Sequence, residues 1–363
     1  MVESGAATIS VAEFLSVCIY LSEECGKVIR QVEESGDLKT QEKGKDGPVT
    51  VADLRVQKTL EVCLKALYPT LDVQGEESKE SIADVEPAVD PATITDALKD
   101  FITTDYLRSQ QERRAAFITD VLRQHYGEDE VDAASFETFS TENATVWIDP
   151  LDGTSDFVKG NLPAVTVIIG LSLGGKSRAG VIHNVYQEED RSVGQTFFAT
   201  AEHGCFRVPY EKTMDEAALV ARELEYFEPF DQAEPEEGHA IKVAASLSHF
   251  SATIQEIIET IDPVEIVRLG GAGNKCANVA RGTVDSYIHP SPGLKNWDLC
   301  APESMIKAMG GWATNLYQER LTYPAGGNPN IKGLILGKSP AMYGLITRRM
   351  GELLTTIGQK VKL

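Results

Sequence analysis

The sequence predicts an α/β chain in two parts, an α+β front and an α/β tail, on three observations. Apolar residues early in the chain recur at intervals of three and four, a middle run of strands is punctuated by glycine turns, and the last third alternates strand with helix. With 363 residues, 42% of them hydrophobic, the chain is long enough for two packed units.

Val11, Phe14, Leu15, Cys18, Leu21, Cys25, Val28, Ile29 and Val32 describe one face of a long first helix, which Gly36 and a polar run to Gly47 end. A second helix follows Pro48 and runs through Leu54, Leu60, Cys63, Leu64 and Leu67. Thr50 stands three residues before Asp53 at its start, a spacing that suits a capping box at least as well as catalysis. Residues 71–74 then alternate as a short strand and stop at Gly75, Glu76, Glu77 and Ser78. Residues 79–141 are polar and acidic, with a helical pattern only around Phe117, Val121 and Leu122, and read as a surface excursion whose charges are solvated.

After the strand that ends at Asp149, residues 164–173, 178–185, 196–200 and 204–208 read as strands of a largely antiparallel sheet. Residues 210–238 form a second acidic connection, at whose end a boundary is expected between units 1–238 and 239–363. Beyond it come strand 241–245, helix 251–260, strand 265–269, helix 275–281, strand 284–289 and helix 298–309, closed by Gly310 and Gly311 and followed by a strand at 314–317. No internal repeat is evident.

Charge and cysteine usage narrow the function classes. Thirty-four basic residues against 55 acidic ones give a net charge of -21, which argues against nucleic-acid and anionic-membrane partners and leaves a small molecule as the expected one. Six cysteines are scattered with no CxxC pair, no secretory pattern opens the chain, and no apolar run approaches a membrane span; a reduced, cytoplasmic protein is expected.

The chemistry concentrates at residues 147–154. Val146 and Ile148 alternate as in a half-buried strand, Pro150 removes a backbone donor, and Asp152 with Gly153 turns the chain toward the Thr154 hydroxyl. Two carboxylates, the Leu151 carbonyl and a hydroxyl are hard oxygen donors that favour Mg2+, Mn2+ or Ca2+ over zinc. Asp-Pro and Asp-Gly are also ordinary turn pairs, but a strand that ends in this whole series is uncommon. Phosphatases that form an aspartyl phosphate place their two aspartates two residues apart; here the spacing is three, which weakens a covalent reading. Asp298 opens a helix, where it serves as a cap or, with Glu76, Asp149 and Asp152, as a further ligand. Gly270, Gly271, Ala272, Gly273, Asn274 and Lys275 lie between strand and helix, where bare amides and a lysine can hold a phosphate, although the spacing is neither that of a P-loop nor that of a dinucleotide fingerprint. Ser246 and His249 precede a helix and suit capping or ligand contact equally.

Taken together and in this order, the stretches at 49–53, 75–78, 149–154 and 297–298 resemble the inositol monophosphatase superfamily of magnesium-dependent, lithium-sensitive phosphatases. Within it, residues 267–275 and 291–303 look most like the branch that acts on 3',5'-bisphosphorylated nucleotides. The similarity spans about residues 11–336, interrupted by the two acidic excursions. It implies a layered αβαβα sandwich with the site between its two units. It also implies two or three Mg2+ ions held by Glu76, Asp149, the Leu151 carbonyl, Asp152 and Asp298, with inhibition by Li+. Asp53 and Thr154 match the residues that orient and deprotonate the attacking water, and Ser246, His249, Gly271 and Lys275 match nucleotide-contacting positions. The implied reaction converts adenosine 3',5'-bisphosphate to AMP and phosphate, with 3'-phosphoadenosine 5'-phosphosulfate as a further substrate. The alternatives are an inositol polyphosphate 1-phosphatase with the same metal site and a silent metal-binding interaction protein. Monomer and homodimer stay open.

Overall fold

Ser10 accepts a hydrogen bond from the Glu13 amide and so starts the first helix, α1 (Val11–Ser35), while Thr50 caps the second, α2 (Val51–Leu67). In the computed structural model, which describes residues 7–354 apart from 45–46, 128–129, 132–135, 188–189, 237, 249, 263 and 352, these two helices form the outermost layer. Their apolar faces cover a sheet of seven strands: β1 (Asp72–Gly75), β2 (Ala144–Asp152), β3 (Thr166–Leu173), β4 (Lys176–Asn184), β5 (Val193–Thr200), β6 (Gly204–Glu211) and β7 (Glu225–Phe227). The strands lie side by side in chain order, antiparallel except that β1 runs parallel to β2. The β3–β4 turn is Gly174-Gly175, both with positive φ, 56° and 77°, as a two-residue hairpin matching the sheet twist requires.

A second sheet contains β8 (Ile241–Ser246), β9 (Val264–Leu269), β10 (Ser286–His289), β11 (Trp312–Thr314) and β12 (Leu334–Gly337), in the order β9-β8-β10-β12-β11. The first three of these neighbours are parallel and the last two pairings antiparallel. Helices α5 (Ala272–Ala280) and α6 (Asn296–Ala308) fill the space between the sheets, and α4 (Ala252–Glu259) and α7 (Pro340–Met350) cover the far face, after α3 (Thr104–Arg113) in the first part of the chain. The layers are αβαβα. Two glycines permit the central one: a Cβ on Gly170 would stand 2.6 Å from the Ala301 amide nitrogen, and one on Gly180 would stand 2.6 Å from the Ala301 side chain. Helix α6 therefore lies almost on the backbone of β3 and β4, and its N-terminus is carried to the end of β2.

Several expectations need correction. The stretch at 79–141 is more than a solvated excursion: charges such as Asp84, Asp96, Asp105 and Asp120 are exposed, as expected, but its apolar residues pack inward. It buries Val89, Ile94, Leu98, Ile102, Leu107, Ile118, Leu122 and Phe139, and Arg114, 2% exposed, donates to the carbonyls of Ala201 (3.1 Å) and Ala308 (2.6 Å). Its charges had masked apolar residues too widely spaced to show a period. Tyr210 belongs to β6 and is fully buried, so the connection after the sheet starts later than expected. The strand expected at 314–317 lies at Trp312–Thr314, and helix α6 begins two residues before Asp298. Strand β12 and helix α7 were not foreseen, although Ser339, which accepts from the Met342 amide at 3.1 Å, followed by Pro340 is a readable helix start. Among the described residues no helix is long and apolar enough to cross a membrane, and all six cysteines are buried and unpaired.

Candidate metal centre and active site

Residues three apart on a regular strand point to opposite faces, so Asp149 and Asp152 could not share a site on an unbroken β2. The ladder breaks between them: Asp149 pairs with Ile168 and Asp152 with Thr166, so that Pro150 and Leu151 stand opposite Val167 alone, two residues opposite one. This bulge restores the parity and turns both carboxylates to one side. Pro150, which cannot donate to the ladder, sits inside it. Asp149 also accepts from the Leu151 amide at 3.1 Å, which holds the turn closed.

Asp152 meets the next layer directly. Its two oxygens accept from the amides of Ala272 and Gly273 and from the Thr166 hydroxyl, each at 2.8 Å. The first amides of α5, expected to cradle a phosphate, are thus engaged by a carboxylate of the chain itself, and that corrects the sequence reading of the glycine-rich loop. Gly271, at φ 65°, makes the close approach possible, since a Cβ there would stand 2.9 Å from Asp152 Oδ2. Asp298 comes from the first turn of α6, where it accepts from the Lys295 amide at 2.6 Å. It is therefore both a capping residue and a member of the cluster: Asp149, Asp152 and Asp298 each offer an oxygen, all within 4.8 Å of one another.

Glu76 follows β1, which pairs with β2 in register, and its amide donates to the Ile148 carbonyl at 3.2 Å. Its carboxylate lines the same cleft as the three aspartates and pairs with Lys43 at 3.1 Å; Lys43 also pairs with Glu77. Gln57 on α2 fixes this corner like a peptide group, accepting from the Glu77 amide at 2.6 Å and donating to the Glu77 carbonyl at 2.7 Å.

The electrostatics are those of crowded, buried acids. Burial, then the neighbouring Glu76 and Asp152, raises Asp149 well above the usual carboxylate range, and Asp149 and Asp298 are hydrogen-bonded to each other. Asp298 is pushed to about 7, by burial first and then by Asp152. Glu76 is pushed to about 8 by burial, against the pull of Lys43, and burial raises Asp152 against Lys275 and its three donors. Carboxyls that hold protons near neutrality for want of positive charge, with hard oxygens on one point, fit divalent cations that bind oxygen. Among the described residues the cluster holds no nitrogen or sulfur ligand.

Beside it lies a second pair. Thr154 Oγ1 is 2.9 Å from both Asp53 Oδ1 and the Leu151 carbonyl oxygen. The other Asp53 oxygen accepts from the Thr50 amide (2.8 Å) and hydroxyl (2.6 Å), so the capping box and the contact to Thr154 coexist. Asp53, fully buried, is raised to about 6 by desolvation that these bonds only partly offset. A carboxyl raised toward neutrality is of the kind that suits proton exchange.

The cleft encloses about 700 Å3 and is lined by Glu76, Asp149, Asp152, Thr154, Lys275 and Asp298 at its polar end. The Ser246 and Gly271 positions line it too, and Lys275, 4% exposed, reaches the Leu269 carbonyl at 3.4 Å. His249 lies outside the described residues. Lys43, Gln57 and Thr166 escaped the sequence reading because each finds its partner across 14 to 33 residues with no motif of its own.

Residues 92–331 match the family model described as the inositol monophosphatase family. The chain is 28% identical over 316 residues to 3'(2'),5'-bisphosphate nucleotidase 1 of Dictyostelium discoideum, covering 85% of this chain and 86% of the relative. It is 29% identical over 308 residues to the human protein of the same name, covering 84% and 83%. Among solved structures, inositol monophosphatase II from Staphylococcus aureus superposes with a TM-score of 0.61 at 17% identity, covering 96% and 97% of the two chains.

Proposed function

The chain belongs to the inositol monophosphatase family, and on that premise we propose that it removes the 3'-phosphate of adenosine 3',5'-bisphosphate to give AMP and phosphate. We take 3'-phosphoadenosine 5'-phosphosulfate as a second substrate. The observation that carries the reading is the convergence of Asp149, Asp152 and Asp298 within 4.8 Å, beside the Asp53–Thr154 pair, in a chain whose similar relatives bear the nucleotidase name. We assign residues 1–238 and 239–363 to two units meeting at this cleft; in support, the first sheet ends at Phe227 and the second begins at Ile241.

Glu76, Asp149, the Leu151 carbonyl, Asp152 and Asp298 would hold two or three Mg2+ ions, and Li+ would inhibit. Such ions, when bound, polarise the phosphoryl oxygens and acidify water. The chain's own residues do the rest. When the Thr154 hydroxyl donates to Asp53 Oδ1, an Oγ1 lone pair is left to accept a proton from an attacking water. Asp53, tied by Thr50, takes the relayed proton and cannot rotate away. Attack is in line on phosphorus, without a covalent enzyme intermediate. Lys275 supplies positive charge to the phosphate, and Ser246 and Gly271, which line the cleft, contact the nucleotide; the resemblance adds His249, which lies outside the described residues.

The test is a substrate panel at fixed Mg2+ with Li+ titrated in. Phosphate release from adenosine 3',5'-bisphosphate well above that from inositol 1,4-bisphosphate is expected, abolished by chelation. Preference for the inositol ester would select the 1-phosphatase reading, and cation binding without turnover would leave an interaction protein.

A further inference from the structure

The polar end of the cleft accounts for a phosphate and its cations, but a nucleotide also carries a flat apolar base. Among the described residues Phe250, Tyr287, His289 and Trp297 put rings on the cleft wall, and His289 is buried, 8% exposed, with its Nε2 3.2 Å from the Ser291 hydroxyl. Tyr287 is 1% exposed and packs in the core between the layers, and Trp297 packs against the same core, so both are committed to the fold. Phe250 is half-buried, in the loop between β8 and α4, and contributes to the wall with Ser251 and Ile254 beside it.

Its neighbour on β9 holds it in place. The Arg268 guanidinium carbon lies 3.7 Å from the centre of the Phe250 ring, and the same guanidinium donates through Nε to the Ser246 carbonyl and through Nη2 to the Leu247 carbonyl, both at 2.7 Å. A guanidinium stacked on a ring while bonded to the backbone that leads into that ring fixes loop and side chain together. An aromatic ring immobilised at a cleft wall is what stacking on a nucleobase needs, because the ordering entropy has been lost before the ligand arrives.

We propose that Phe250, clamped by Arg268, is the platform on which the purine of the substrate stacks, and that it determines preference for nucleotides over phosphorylated polyols. This rests on the nucleotide reading of the cleft. A base stacked on an already fixed ring makes the same contact in the ground and transition states, and such uniform binding is read in KM.

The experiment compares kcat/KM for adenosine 3',5'-bisphosphate with that for its base-free counterpart, 1-deoxyribose 3,5-bisphosphate, in the wild type and in Phe250→Leu, which keeps the packing volume but removes the ring, and Phe250→Tyr, which keeps the ring. The nucleotide-to-abasic ratio is expected to fall roughly tenfold in Phe250→Leu, through KM, within the range one base–aromatic stack supports. Phe250→Tyr should restore it. A ratio equal to that of the wild type in Phe250→Leu, with nucleotide turnover intact, overturns the platform while the nucleotidase reading stands. A wild type that does not hydrolyse the nucleotide overturns both.

Discussion

Asp149 illustrates how one side chain serves a site at the expense of the resting fold. It is buried among Asp152, Asp298 and Glu76, whose combined charge has no full counterpart in the chain. Asp149→Asn replaces a group that must either carry a buried charge or hold a proton beside three other acids. Metal-dependent phosphate release should fall by at least about 100-fold, beyond the loss typical of a supporting partner, while thermal denaturation in chelator shows a melting temperature equal to or above that of the wild type. Lower stability in chelator would contradict the strain. The same crowding has a pH signature. Glu76 and Asp298, raised to about 8 and about 7, stay protonated in the metal-free fold at pH values where the unfolded chain has released those protons. The native state then binds more protons than the unfolded one, so stability falls as pH rises. In chelator, denaturation midpoints should drop between pH 6 and 8.5, and saturating Mg2+ should flatten that decline; a rise over this window would refute the sign.

At the scale of elements, the site depends on a helix lying against a sheet. Gly170 and Gly180 let α6 settle on β3 and β4, and only from there does its first turn place Asp298 against Asp149. Gly180→Val should force the helix outward. Overpacking of this kind costs about 1–3 kcal/mol, measurable by urea denaturation, and the Mg2+ concentration for half-maximal phosphate release should rise with it. A stability loss with no change in Mg2+ dependence would show that helix position and cation binding are independent. The bulge in β2 works in the same way, and both features move a carboxylate by changing backbone geometry rather than side-chain chemistry.

The whole molecule is tied together by the segment that precedes β2. Arg114 joins it to the end of β5 through the Ala201 carbonyl and to the end of α6 through the Ala308 carbonyl, and its second nitrogen donates to the Tyr226 hydroxyl at 2.9 Å. Arg114→Met would leave two buried carbonyls without this donor, at a cost of about 1–3 kcal/mol for each group. The expected outcome is a lower urea midpoint with turnover per folded molecule retained, since no cleft residue is touched. A loss of turnover in fully folded protein would mean that the segment acts on the site.

The strand, the Asp-Pro-Leu-Asp-Gly-Thr turn and the two opening helices were legible from residue order, because period, proline and glycine act within a few residues of themselves. Residues 79–141 were not legible: their burial depends on surfaces supplied by α1, the first sheet and α6, none of which is near in sequence. What the chain's order determined alone was the kind of atom offered, hard oxygens at the ends of strands and helices. Which of them meet, and that the α5 amides go to Asp152 rather than to a ligand, was decided only in three dimensions, because hydrogen-bond donors and buried charges find partners by distance in space and not by position along the chain.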